Sequence, residues 1–181
     1  MLALSLAPLR RIGEDFFERA LLEDGTPVVV RPIRPADAPS LQAALLELSD
    51  RTRYLRFHGP RGEFSASELR FLTDVDGEAH VALAAFTLPR PRMVAVGRFI
   101  RDSVTAAAAE LALVVTDALQ GKGLGQLLLS RLREAALERN VTRFTGSILD
   151  DNRKMRGLLR KLGGRVGLSS RGVCDIDLAL T

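Results

Sequence analysis

The segment from Ala108 to Ala136 limits the fold of this chain more than any other. Ala108 to Val115 (AAELALVV) is an apolar run of strand length, and its composition predicts a strand that is nearly all buried. Gln120-Gly121-Lys122-Gly123-Leu124-Gly125 follows, and then Leu124, Leu127, Leu128 and Leu132 with Ala135 and Ala136 recur at the i, i+3, i+4 spacing of a core-facing helix. A strand, a glycine-rich turn and an apolar helix in succession leave unpaired backbone N–H groups at the positive end of the helix dipole, where an anion can sit. The glycines let the backbone approach a pyrophosphate without Cβ obstruction, and Lys122 adds positive charge nearby.

Two better known glycine motifs are excluded by spacing. Gln126 stands where the last glycine of the dinucleotide fingerprint belongs, and no Gly-Lys-Ser or Gly-Lys-Thr completes a P-loop. Taken alone, the turn is equally a tight entry into a helix.

The 181 residues suit one domain, with 46% hydrophobic and 27% charged residues in the ordinary globular range. Residues 1–25 are expected to form an arm containing a helical turn or hairpin, ahead of a domain over 26–181. Strands are expected at 26–31, 80–88, 93–100, 108–115 and 143–149, with a closing pair at 165–169 and 173–180. Helices are expected at 38–48, 49–59, 65–74 (capped by Ser65 or Ser67), after the glycine turn, and at 151–162 before Gly163-Gly164. The apolar start Met1 to Leu9 lacks the basic leading region and length of a secretory leader, no run reaches membrane-span length, and the single Cys174 allows no internal disulfide; the expected location is cytoplasmic. The formal net charge of +4 favours anionic partners without choosing among them.

Gln120-x-x-Gly123-x-Gly125 between a strand and a helix resembles the CoA-pyrophosphate signature of the GNAT acetyltransferase superfamily, and Asn152, Met155, Leu158 and Leu162-Gly163 resemble its next motif. Arg53-Tyr54-Leu55-Arg56-Phe57, Ala95-Val96-Gly97-Arg98 and Ala109-Glu110-Leu111-Ala112-Leu113-Val114-Val115 extend the likeness to the bacterial Pat-type protein lysine acetyltransferases, over roughly residues 27–180. The resemblance implies an α/β (α+β) fold with a mixed, mostly antiparallel sheet of about seven strands flanked by helices, splayed at a central strand pair. It implies acetyl-CoA as the acyl donor, with no metal. The backbone of Leu113, Val114 and Val115 would hold pantetheine and polarise the thioester carbonyl, and Gln120, Gly121, Lys122, Gly123, Leu124, Gly125 and Gln126 would hold the pyrophosphate. Glu110 matches the family's glutamate and would act as general base toward a lysine of a protein acceptor, its basicity raised beside an apolar strand.

Two departures stand out. Leu159 occupies the place of the tyrosine that protonates the departing thiolate in many relatives, and Gly164 replaces the aromatic that usually follows Leu-Gly. Other readings remain open. Asn152 is either a contact to pantetheine amides or a helix N-cap. Arg153, Lys154, Arg156, Arg160, Lys161 and Arg165 either meet CoA phosphates or form a solvated helix face. Tyr54 and Phe57 are expected in the core rather than as a substrate platform, and Cys174 as a packed strand residue. His58 and His80 lack a metal-binding pattern. The competing functions are acetylation of a small amine, a non-catalytic CoA-binding module and, least favoured because aromatic interleaving is lacking, nucleic-acid binding.

Overall fold

A computed structural model describes residues 11–180; the apolar start Met1 to Leu9 lies outside the described residues. Eight strands form one sheet: β1 (Glu18–Leu21), β2 (Pro27–Pro32), β3 (His80–Thr87), β4 (Met93–Ile100), β5 (Ala108–Val115), β6 (Arg143–Leu149), β7 (Arg165–Val166) and β8 (Val173–Ala179). They lie in the order β1-β2-β3-β4-β5-β6-β8-β7. Every neighbouring pair is antiparallel except β5 and β6. The fold is the mixed, mostly antiparallel α/β sheet expected, with one strand more than the seven anticipated. The addition is β1, which forms a hairpin with β2: Leu22 N–H donates to Thr26 C=O at 3.0 Å, and Gly25 takes the positive φ of 82° that the turn requires.

The joint at 31–37 explains how the chain leaves β2. Arg31 grips Asp37 with two hydrogen bonds of 2.7 Å, and the Asp37 carboxylate also accepts from Arg34 N–H at 2.8 Å. Burial works to raise the Asp37 carboxyl, but Arg31 and the Arg34 amide prevail and hold it below the usual range. Helices α1 (Ala38–Glu47), α2 (Asp50–Phe57) and α3 (Ala66–Thr73) follow. Ser49 caps α2 by accepting from Thr52 N–H. Ser65 and Glu68 form a reciprocal capping box on α3.

On one face of the sheet Leu41 of α1 packs with Val29, Ala82, Ala84, Phe86 and Val96. On the other lies α4 (Leu124–Leu137), whose Leu124, Leu128, Leu129, Leu132, Ala135 and Ala136 are all buried. The contact is close enough that a Cβ on Gly97 of β4 would come within 2.7 Å of Leu132 Cδ1. Helix α5 (Arg153–Lys161) ends in a left-handed Gly163, with Gly164 N–H returning to Leu159 C=O at 2.8 Å.

Three expectations change. The strand β5 is not nearly all buried, because only Ala109 and Leu111 are. The strand expected at 165–169 shrinks to Arg165–Val166, with Ser170 bridging Val173 beyond it. Tyr54 is 49% exposed rather than in the core, while Phe57 is half-buried with its ring edge-on to Phe64. Cys174 is buried, as expected.

Candidate active site

The site begins where β5 and β6 stop pairing. Their parallel ladder holds Ala108↔Arg143, Ala109↔Phe144 and Glu110↔Thr145 and goes no further. At Gly146 of β6 a Cβ would still come within 3.3 Å of Leu111 C=O; beyond that point the two strands diverge. On its other side β5 stays paired to β4 as far as Ala95↔Val115.

Thr116 N–H donates to Val94 C=O at 2.8 Å. By the alternation of an antiparallel ladder, Glu110, Ala112 and Val114 therefore spend their backbone groups on β4, while Leu111, Leu113 and Val115 turn theirs toward the opening. This corrects the reading of Val114, whose amide faces β4 and which meets the opening through its side chain only.

The opening is one end of a cleft of about 680 Å³, the size of a cofactor site. Glu110, Leu113, Val114, Val115, Gln120, Gly121, Gly123, Gly125, Gln126 and Asn152 all line it. Gly121 and Gly123 have φ of 75° and 86°. Gly123 caps α4 with no side-chain hydrogen bond, and the first N–H of the turn to reach a backbone acceptor is Leu127, donating to Gly123 C=O at 3.0 Å. The amides from Gly121 to Gln126 are thus left for a ligand, an arrangement that fits a pyrophosphate.

One residue of the turn sits in the core as its helix stripe predicts, and one differs from expectation. Leu124 is fully buried in the core, so its backbone alone is available. The Lys122 ammonium pairs with Asp24 at 2.8 Å, at the tip of the β1–β2 hairpin. The same tip brings Glu23 into the cleft, with Oε1 3.1 Å from where a Cβ on Gly123 would stand.

Gln120 is a hub. Its Nε2 donates to Val115 C=O at 2.9 Å and to Thr52 Oγ1 at 3.3 Å, and its Oε1 accepts from Lys154 Nζ at 2.6 Å across the cleft. Below it, Asp117 accepts from Ser49 N–H at 2.9 Å and from the Ser49 and Thr52 hydroxyls at 2.7 Å each, fastening α2 to the segment after β5. Burial tends to raise the Asp117 carboxyl, yet these donors hold it lowered.

Asn152 is the N-cap of α5, accepting from Met155 N–H at 3.1 Å, and it also borders the cleft. The basic face of α5 divides: Arg153, Lys154 and Lys161 reach the cleft, whereas Arg156 donates to Asp150 C=O and to Cys174 Sγ. Leu159 is fully buried, so no acid stands in the tyrosine's place. Gly164 has its own cause, since a Cβ there would meet Leu159 C=O at 3.1 Å.

Glu110 sits on the same face of the sheet as Val114 and is exposed, so the apolar surround expected for it is not found. Across from it α2 supplies Arg56 and Phe57 to the cleft. Burial lowers the Arg56 guanidinium and the charge of Glu110 works the other way. The roles of Arg56, Glu23, Asp117 and Thr52 emerge only in the folded chain. Arg56 lies in the Arg53–Phe57 run, where a charged residue on a partly apolar helix face is the available signal; the others reach the site through contacts remote in sequence. Among the described residues no cluster of His, Cys, Asp and Glu could hold a metal ion, and no helix is long and apolar enough to cross a membrane.

Comparison with known proteins identifies the family. Residues 28–165 match the family model described as an acetyltransferase (GNAT) domain. The chain is 33% identical over 134 residues to acetyltransferase Pat of Mycolicibacterium smegmatis, covering 74% of this chain and 40% of that protein. It is 30% identical over 144 residues to acetyltransferase PA5475 of Pseudomonas aeruginosa, covering 78% and 77%. The crystal structure of the GNAT domain of S. lividans PAT superposes with a TM-score of 0.83 at 30% identity, over 91% of this chain and 97% of that one. The chain therefore spans less than half of the Mycolicibacterium relative but nearly all of the S. lividans domain. Sequence match and shared architecture together make this chain a member of the GNAT acetyltransferase family.

Proposed function

We propose that this acetyltransferase transfers the acetyl group of acetyl-CoA to the Nε-amine of lysine in target proteins such as acyl-CoA synthetases, with Glu110 as general base. One observation carries the reading: the family glutamate stands exposed on β5 where the β5–β6 ladder ends, at the head of a cleft whose far end is an uncapped glycine turn. The likeness to proteins named Pat supports the lysine acceptor.

In this reading the free amides of the glycine turn take the pyrophosphate, Leu113 and Val115 offer backbone hydrogen bonds to the pantetheine arm, and Glu110 removes a proton from the lysine ammonium, directly or through a water. The amine attacks the thioester carbonyl, a C–N bond forms, the C–S bond breaks and the CoA thiolate leaves. With Leu159 buried, the thiolate takes its proton from solvent or from the nucleophile. The cytoplasm is the proposed compartment, and nucleic acid, membrane and metal have no part in the scheme.

Mass spectrometry of acyl-CoA synthetases, polyamines and aminoglycosides after incubation with protein and acetyl-CoA tests the acceptor. Acetyl-lysine on the synthetases is expected, and modification of the small amines alone would refute the protein-lysine assignment. Glu110→Gln is expected to lower kcat by about a hundredfold or more, the usual worth of a general base, with acetyl-CoA affinity little changed. An unchanged kcat would remove Glu110 from the mechanism.

A further inference from the structure

The acceptor end of the cleft holds more positive charge than the chemistry at Glu110 accounts for. Arg56 is half-buried there, its guanidinium 5.1 Å from the centroid of the Phe57 ring. Arg98 of β4 stands opposite Ala112, and Ile100 opposite Glu110, so Arg98 and Glu110 share one face of the sheet. Arg98 is 5% exposed and donates to Leu72 C=O and His80 Nε2, both at 3.0 Å and neither a carboxylate. Among the described residues no carboxylate lies within 4.0 Å of either guanidinium. The other buried arginines are matched differently: Arg139 has Glu138 and Glu78 within reach, and Arg101 has Glu78. Burial, and then the charge of Arg56, push Arg98 down to about 9.

Glu110 lines the same cleft as Arg56, and its charge works to raise the Arg56 guanidinium against burial. A lysine ammonium arriving at Glu110 draws on that same charge and leaves the half-buried Arg56, with the Arg98 cation buried behind the cleft wall, without an anion. Buried cations need a compensating charge, and here the acceptor is what can bring it. We propose that Arg56, backed by Arg98, is the seat for a carboxylate that the acceptor carries beside its reactive amine. The ligand class is thus an amine with a neighbouring carboxylate, supplied either by an acidic residue next to the lysine of a protein or by the α-carboxylate of a free amino acid. The inference rests on the acceptor amine entering at Glu110.

The test is binding to the full chain saturated with CoA, which carries no acyl group, so that affinity is read without turnover. Calorimetry compares a lysine peptide with glutamate beside the lysine against the same peptide with glutamine, and free lysine against lysine amide. Glutamate is expected to tighten binding about tenfold, the worth of one charge-assisted contact. Arg56→Met should erase the difference and Arg56→Lys should keep part of it, each checked for folding by its melting temperature and CoA affinity. A preference shown by free lysine over its amide, with peptides indifferent, keeps the seat and assigns it to an amino acid. Equal binding within both pairs, or a preference that survives Arg56→Met, overturns it. Selective binding without acetyl transfer would leave the seat standing and sink the proposed function; transfer with no charge preference would do the reverse.

Discussion

Glu23 stands in the cleft beside the glycine turn proposed to hold the pyrophosphate, where a carboxylate is the wrong sign. Its backbone N–H donates to Lys122 C=O at 3.2 Å, so the side chain is held beside the glycine turn rather than merely near it. Replacing it by the neutral isostere, Glu23→Gln, is expected to tighten acetyl-CoA binding by up to about fivefold, the size of one partly screened charge contact. Titration calorimetry reads this, and weaker binding would refute it. His80 makes a second prediction. Burial, then the Arg98 cation, push it from 6.5 down to about 4, with Asp76 pulling the other way and Phe71 lying 5.1 Å away. Because the folded value is the lower one, the unfolded chain takes the proton first as pH falls. The contribution is complete above about 6.5 and is lost toward pH 4, to an extent of up to about 3 kcal/mol. Urea unfolding across that window should be flatter for His80→Gln than for the parent. At this scale the sequence was legible where a local pattern fixes the backbone, as with the positive φ of Gly123 and the N-cap at Asn152. It was silent on Glu23, because that residue reaches the turn from a hairpin about a hundred positions earlier, and on the Ser49–Asp117 bond, which spans 68 residues.

Periodicity located the helices well because each has a physical start and stop. Ser49, Ser65 and Asn152 accept hydrogen bonds from the first turns of α2, α3 and α5, and Gly163 ends the last of these with φ of 80°. The stripe of α4 is buried as its spacing requires, at Leu124, Leu128, Leu132, Ala135 and Ala136. Leu128→Ala, at 0% exposure, is expected to cost about 2–5 kcal/mol by leaving a cavity against β4, measured by chemical denaturation. The inner strands were as legible, with 93–100, 108–115 and 143–149 found as expected, but the burial of strands and the edges of the sheet were less so. An apolar run reads alike whether it meets core or borders a cleft, which is why β5 looked buried. A four-residue edge strand with alternating half-exposure, as in β1, carries almost no periodic signal. Leu21 is 75% exposed there, which no pattern of burial would anticipate.

Over the whole molecule, the parting of β5 from β6 divides the sheet into a five-stranded block and a three-stranded block, β6-β8-β7, with a seam of three residue pairs between them. Side chains of both blocks share one hydrophobic core, with the Phe99 and Phe144 rings 5.6 Å apart, so the backbone pairing and not the packing thins at the seam, and segments with fewer ladder bonds open below the global free energy of unfolding. Amide hydrogen exchange at Ile148, Cys174 and Ile176 is expected to run faster than at Leu83 and Val96. Acetyl-CoA should slow it even at amides it does not touch, and uniform protection before ligand addition would argue against two blocks. A ligand lying in the opening staples the blocks together, and one that binds only the folded chain stabilises it by mass action. The lifetime of this protein against proteolysis would then follow the supply of the acyl donor proposed for it, so that a shortage of acetyl-CoA would remove the protein as well as the donor.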